Sequence, residues 1–397
     1  MKIDVKSIYI LVVFLSIMGF PIVAILSQIF SLNSTSLSIF IRFVVFSLSF
    51  LLIGFTLKYI KLIRRYEIFL ILMLFWILYI CRLIDLTFFT RADLINSYWY
   101  YWIWAIGTCF FPFIAISLFQ VRDFSIYKKI FNYLFISLFV AVPLVIIFGS
   151  TEIPSDILEE SVDTGRFRLN SLNPISVGSL GALLALLAYW LYFDLKLKIY
   201  KNIFLMLSFF LGLYLMILAN SRGPIVGFFV VLIFITLKYI DIRILLKSMF
   251  VLISLFIVFY FVNLDELLVG NRFFDSNSVE TALEDSRVYI YKNSLNIFFD
   301  NPLLGSNIID PISRLYPHNL FIESLISTGL IGGIFYSTGV LILLYASMRK
   351  VPNDILGISI LFLYNFVISL LSGAIYNSTS FWISCGIILS FYYRLKR

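Results

Sequence analysis

The chain has 397 residues, of which 61% are hydrophobic, 18% aromatic and only 13% charged, with a mean hydropathy of +1.00. That composition excludes a water-soluble globular domain of this length and makes the chain an integral membrane protein. The net charge of +8 is no reason to expect a nucleic-acid partner, because basic residues along a membrane chain report topology first.

Twelve apolar runs, each able as a helix to cross a hydrocarbon layer of ~30 Å, are predicted at 8–29, 37–57, 67–84, 98–119, 130–149, 174–193, 202–219, 223–240, 245–262, 318–345, 354–372 and 378–393. The expectation is an all-α polytopic protein forming a single membrane domain over residues 1–397. The first run follows Lys2 and Lys6, exceeds a signal-peptide core and has no small-x-small cleavage site behind it, so it is expected to stay as a span. Cys81, Cys109 and Cys385 all fall within predicted spans, which leaves none for a disulfide in an outside loop.

With a cytoplasmic N-terminus, the cytoplasmic segments hold 20 of the 30 basic residues but only six of the 22 acids. This obeys the positive-inside rule, and the even span count returns the C-terminus to the cytoplasm. The opposite side has two substantial loops, 150–173 and, between the ninth and tenth spans, 263–317. In the longer one, Val288, Tyr291, Leu295 and Phe298 recur at helical spacing, predicting an amphipathic helix over 284–300 that Asn301-Pro302 ends and a turn at Gly305 follows. No internal repeat is visible, which weighs against the transporter folds built from two related halves.

The polar chemistry collects on that outer side. Nine of its ten basic residues are arginine: Arg42, Arg82, Arg91, Arg166, Arg168, Arg222, Arg272, Arg287 and Arg314, with Lys292 the tenth. A guanidinium is a planar fork that binds phosphate bidentately. Pairing with outer acids is the plainer reading for any one of them. As a set they accompany three helix starts: Arg166 and Arg168 before Asn173-Pro174, then Asn220-Ser221-Arg222-Gly223-Pro224, then Arg314 before Pro317-His318-Asn319. Each start carries ordinary capping signals, but free N–H groups with arginines alongside suit an anion. If the three converge, they form a pocket for a diphosphate.

His318 is the only histidine in the chain. The positive end of a helix and nearby arginines disfavour imidazolium, so a neutral proton acceptor is expected, with a mere helix cap as the alternative. Asn319, Glu323 and Ser327 follow as one polar stripe. Glu323 is expected to face the site or an arginine, or to form a structural salt bridge. Gly329 and Gly333 are spaced for close helix contact. No Asp-x-Asp or Asp-x-Glu occurs and no His/Cys cluster is present, so metal-independent chemistry with no cofactor is expected.

Taken in order, Arg166, Asn173-Pro174, Asn220-Ser221-Arg222-Gly223, Arg287 with Asn301-Pro302-Leu303-Leu304-Gly305, and His318-Asn319-x-x-x-Glu323 with Gly329 and Gly332 resemble the bacterial O-antigen polymerase and O-antigen ligase superfamily over roughly residues 166–345. The resemblance implies a GT-C-type glycosyltransferase at the periplasmic face of the inner membrane, acting on undecaprenyl-diphosphate-linked oligosaccharides as donor and acceptor. Arg166, Arg168, Arg222, Arg287 and Arg314 are then expected around the diphosphate, with His318, Arg222 and Glu323 as catalytic residues and Asn173, Ser221, Gly223 and Asn319 in support. A polymerase is the leading expectation and a ligase acting on the lipid A core the alternative. A flippase for the same lipid-linked sugar is the competing class, and a chain-length regulator is a further expected partner.

Overall fold

The computed structural model describes residues 4–59, 67–90, 97–121, 123–151, 166–194, 199–239, 286–312 and 314–395, and all structural statements below concern these. The expected ninth span, 245–262, lies outside them, as do Arg91, Arg272 and residues 152–165, 263–285 and 313 of the two long loops. The described structure is helical throughout, with only two isolated bridges, Ser150 with Arg168 and Leu169 with Leu172. Nine of its helices are long and apolar enough to cross a membrane. The chain is a polytopic all-α membrane protein.

Helices α1 (Val5–Phe30) and α2 (Ser34–Tyr59) are joined by a tight turn. Ser31 ends α1 in the left-handed conformation at φ 53°, and the Asn33 side chain accepts the Ser36 N–H at 3.0 Å to open α2. Helix α3 (Glu67–Ile84) widens into a π turn over Asp85–Phe89. Helix α4 (Tyr98–Trp102) passes through a second π stretch, Ile103–Phe110, into α5 (Phe111–Leu118). Pro112 supplies the reason for the second stretch: it has no N–H to continue the α ladder, so the preceding turns widen. Helix α6 (Ser125–Phe148) follows, then α7 (Pro174–Asp194), α8 (Ile199–Leu218), α9 (Arg222–Tyr239), α10 (Ser286–Asp300), α11 (Leu320–Arg349), α12 (Gly357–Ser372) and α13 (Thr379–Leu395).

The helices fall into two compact units, residues 1–141 with 286–397, and residues 142–285. The first has an aromatic core. Phe75 and Trp76 of α3 meet Trp382 of α13 at ring separations of 6.1 and 4.7 Å, and Phe75 meets Tyr336 of α11 at 5.1 Å. Lipid tails are as apolar as these side chains, so such packing holds the helices together through dispersion and ring geometry, about 0.5–1.5 kcal/mol per pair. In the second unit α7 is the most enclosed helix. A Cβ on Gly181 would lie 2.5 Å from the Gly212 carbonyl oxygen of α8, and one on Gly212 would lie 2.5 Å from that of Gly181. These two glycines set the closest approach of α7 and α8. Large apolar side chains such as Phe40, Phe43 and Phe50 of α2 and Leu207 and Phe210 of α8 face outward, as a hydrocarbon surrounding requires.

Helix α10 forms where the amphipathic pattern predicts and packs against α11, although the face it buries is turned by about one residue. Ile290, Ser294 and Phe298 are buried while Leu295 is exposed.

Candidate functional site

Helix α11 is two helices joined across a kink. Gly329 has φ 63° and ψ −163°, a conformation essentially closed to residues with a Cβ, and it breaks the ladder between 320–328 and 330–349. The segment 301–307 fills the break. Its Pro302 carbonyl accepts the Leu330 N–H at 2.8 Å and its Leu303 carbonyl the Ile331 N–H at 3.3 Å. The Ser306 and Asn307 N–H groups donate to the Ile326 carbonyl at 2.8 and 3.1 Å. Irregular backbone within a membrane helix survives only when its polar groups are satisfied in this way. Gly305, at φ 65°, lies against Ile326, Ser327 and Thr328, and Gly329 lies against Leu303 and Leu304, so neither has room for a Cβ. The expected small-residue face at Gly329 and Gly333 is therefore not a helix-packing face. Gly329 is the break itself, and a Cβ on Gly333 would meet the Leu325 side chain of its own helix.

Arg82 of α3 locks this arrangement. Its Nε donates to the Ser327 carbonyl at 3.1 Å and its Nη2 to the Leu304 carbonyl at 2.9 Å and to the Gly305 carbonyl, while its Nη1 pairs with Asp85 at 2.6 Å. The π turn at Asp85 lies directly beside it. One guanidinium thus satisfies the exposed end of the first half-helix and the segment docked against it.

The start of α11 presents His318. Asn319 is the N-cap, its Oδ1 accepting from the Phe321 and Ile322 N–H groups at 2.9 and 3.2 Å and its Nδ2 donating to the Leu370 carbonyl at 3.1 Å. His318 itself is left-handed at φ 56°, half-buried, with its ring 4.3 Å from that of Tyr316. One turn into α11, Glu323 is fully buried. The Tyr79 hydroxyl of α3 donates to its Oε1 at 3.1 Å and the Ile375 N–H to its Oε2 at 2.8 Å. Among the described residues no basic side chain pairs with Glu323, so the expected arginine or salt bridge is replaced by a phenol and a backbone amide. No hydrogen bond of Asn319 or Glu323 reaches His318.

The loop between α12 and α13 is pinned from several sides. Besides the Glu323 contact, the Ile375 carbonyl accepts from Trp382 Nε1 at 3.0 Å, and Cys109 Sγ donates to the Tyr376 carbonyl at 3.2 Å. Tyr376 packs edge-on against Tyr316 at 6.2 Å and Tyr101 at 4.9 Å. Burial, and then the neighbouring Tyr316, Tyr101 and Glu323, push its phenol well above the ordinary value, so it stays a neutral hydroxyl.

The second unit holds the other two helix starts. The Asn173 side chain accepts the Ser176 N–H at 2.8 Å to open α7, and a Cβ on Gly178, one turn on, would lie 3.0 Å from the Pro224 ring near the start of α9. The two starts therefore adjoin. Arg168 pairs through its backbone with Ser150 at 2.9 Å in both directions, and the Leu169–Leu172 turn then leads into Asn173. Nε and Nη2 of Arg168 are buried with no hydrogen-bond partner among the described residues. Arg166 is half-buried, Ser221 buried, Gly223 half-buried and Arg222 exposed in the first turn of α9, after Asn220 in the left-handed conformation at φ 44°.

The structure thus brings together two of the three predicted starts, with Arg166, Arg168, Asn173, Ser221, Arg222 and Gly223, in one unit. His318, Asn319, Glu323 and Arg314 belong to the other. Arg314, at φ 58°, is exposed in a turn closed by the Asp310 N–H on the Leu315 carbonyl at 2.9 Å. Arg287 stands in the first turn of α10, with its side chain outside the described set. Sequence reasoning assigned no role to Arg82, Tyr79 or Tyr376. An arginine three residues before an aspartate at a span end was the available signal for the first. Among the described residues no group of three or more His, Cys, Asp or Glu side chains is placed to hold a metal.

Two comparisons bear on identity. No curated protein matches the chain. Residues 207–337, a third of the chain, match the Wzy_C family model, described as O-antigen ligase. That segment contains Ser221, Arg222, Gly223, Arg287, the 301–307 segment, Arg314, His318, Asn319, Glu323 and the Gly329 break, whereas Arg166, Arg168 and Asn173 lie before it. Over this segment the chain is similar to the O-antigen ligase family.

Proposed function

We propose that the chain is a polysaccharide polymerase of the O-antigen or capsular type. It joins undecaprenyl-diphosphate-linked repeat units by metal-independent glycosyl transfer at the periplasmic face of the bacterial inner membrane. Its arrangement is of GT-C type, with both termini cytoplasmic. The observation that carries the glycosyl-transfer reading, common to polymerase and ligase, is the family match over 207–337, which contains both Arg222 and His318. The adjoining, arginine-bearing starts of α7 and α9 support it.

In this reading Arg166, Arg168 and Arg222, with Arg287 and Arg314, hold the donor diphosphate and stabilise the charge that grows on it as the anomeric C–O bond breaks. Fixed cations and helix ends do here what a divalent metal does elsewhere. His318 accepts the proton of the acceptor hydroxyl, whose oxygen forms the new bond to the anomeric carbon with inversion. Asn173, Ser221, Gly223 and Asn319 shape the helix starts. Glu323, with both oxygens engaged inside the protein, acts as a positioning residue for the Ile375–Tyr376 loop and does not touch the sugar. A chain-length regulator would act beside the enzyme.

A ligase that transfers the glycan to lipid A core is the second reading, and the description of the matched family favours it. Deleting the gene and resolving surface polysaccharide on a gel separates the readings. Core bearing a single repeat unit supports the polymerase. Bare core with accumulated lipid-linked polymer supports the ligase, and no surface repeat at all supports a flippase. Complementation then tests the residues: His318→Ala and Arg222→Lys should both abolish elongation at matched expression. Wild-type elongation by either removes the role assigned to that residue, because an ammonium cannot reproduce the guanidinium fork.

A further inference from the structure

A further cation, assigned no role above, stands on the first unit. Arg42 lies in the third turn of α2, well inside the span, and its Cζ is 3.7 Å from the Trp104 ring centroid and 6.0 Å from that of Phe20. Phe20 and Trp104 themselves meet edge-on at 6.5 Å, so the guanidinium is seated in an aromatic corner. Among the described residues it makes no ion pair and no hydrogen bond. A cation–π contact occupies the flat face of a guanidinium and leaves its in-plane N–H fork available. In a membrane span such a group calls for an acceptor.

From that corner the rings continue without a gap to His318. Tyr100 lies 6.0 Å from Trp104, Tyr376 lies 6.3 Å from Tyr100, Tyr316 lies 6.2 Å from Tyr376, and His318 lies 4.3 Å from Tyr316. Arg42, Trp104, Tyr100, Tyr316 and His318 all keep some surface, with buried Tyr376 bridging behind them. Sugar rings present apolar C–H faces and polar edges, and half-exposed tyrosines, apolar in body and polar at the tip, match both.

We propose that Arg42 is the phosphate subsite for the lipid-linked acceptor, and that Tyr100 and Tyr316 line the path along which the acceptor's sugars run to His318. The assignment rests on the glycosyl-transfer reading above and adds to it the acceptor's place of binding. It gives the chain two diphosphate subsites, one at Arg222 for the leaving group and one at Arg42 for the substrate that is retained.

The experiment is equilibrium binding of undecaprenyl diphosphate to the full chain in phosphatidylcholine nanodiscs, counted by native mass spectrometry. Wild type is expected to hold two equivalents, Arg42→Gln and Arg222→Gln one each, and the double variant none. Arg42→Lys, which keeps the charge but loses the fork, should weaken its equivalent at least tenfold, and monodisperse elution shows that each variant is folded. Two equivalents retained by Arg42→Gln overturn the subsite. Equal, Arg42-dependent binding of phosphatidylglycerol assigns the fork to a phospholipid headgroup and also overturns it. If Arg222→Gln keeps two equivalents while Arg42→Gln keeps one, the donor reading fails and the Arg42 subsite stands. In a transfer assay, Arg42→Gln should raise the acceptor KM at least tenfold and leave the donor KM unchanged.

Discussion

Replacing Gly329 by alanine tests the broken-helix geometry most directly. Its φ and ψ of 63° and −163° cost a residue with a Cβ about 1–3 kcal/mol in the backbone alone. The added Cβ would lie 2.3 Å from the Leu303 carbonyl carbon and oxygen and 2.4 Å from the Leu304 nitrogen. These are backbone atoms and cannot rotate aside, so the 301–307 segment must move away. That movement takes it from the Leu330 and Ile331 N–H groups, and two lost bonds at roughly 0.5–1.5 kcal/mol each add about 1–3 kcal/mol. The expected destabilisation is about 2–6 kcal/mol, which at ~4 kcal/mol is nearly a thousandfold in the folding equilibrium. Gly333→Ala is the matched control. Its Cβ would meet only the flexible end of Leu325, and the better helix propensity of alanine, about 1 kcal/mol, offsets the contact. Thermal unfolding in detergent, followed by tryptophan fluorescence, should show Gly329→Ala melting many degrees below Gly333→Ala. Equal melting of the two variants would refute the account of the break.

Glu323→Gln keeps one oxygen to accept from Tyr79 or Ile375 and turns an N–H₂ toward the other donor, so it should cost about 1–3 kcal/mol in the same assay. A double-mutant cycle with Tyr79→Phe should show coupling, and strict additivity would mean that the Tyr79–Glu323 bond contributes nothing. Arg82→Lys should destabilise nearly as much as Arg82→Ala, because one ammonium cannot serve Ser327, Leu304, Gly305 and Asp85 at once. Wild-type melting of the lysine variant would sink the clamp. Tyr376 carries a raised folded-state value, so its contribution is whole below the unfolded phenol value of about 10 and is lost as pH rises beyond it. Melting of wild type should fall more steeply from pH 9 to pH 11 than that of Tyr376→Phe, with parallel curves as the contrary result.

The starts of α7 and α11 were legible in the sequence because capping is local chemistry: Asn173 and Asn319 both accept from the first turns of the helices they precede. Arg166, Arg168 and Arg222 stood out by residue type. The break at Gly329 was not legible, since a small-x-x-x-small spacing reads equally as a packing face, and the decision lies with a segment two dozen residues earlier. The role of Arg82 was hidden for a related reason: its partners are backbone carbonyls more than 200 positions away, which leave no pattern of residue types. For Glu323, the sequence showed that a buried carboxylate needs a partner but not that donors would come from Tyr79 and a loop amide. The aromatic line from Arg42 to His318 draws on α1, α2, α4 and two loops, and no one-dimensional spacing records it.

The 301–307 segment also fixes where this chain can change length. Because Pro302, Leu303, Ser306 and Asn307 bond to α11 and the Leu304 and Gly305 carbonyls to Arg82, losing or gaining a residue between them would displace the bonds that follow. Beyond it Pro311, Ile312, Arg314 and Leu315 lie at the surface. Insertions and deletions between the segment and His318 should therefore be absorbed there and excluded from 302–306. Relatives of different length should still carry the proline-to-glycine segment at constant size.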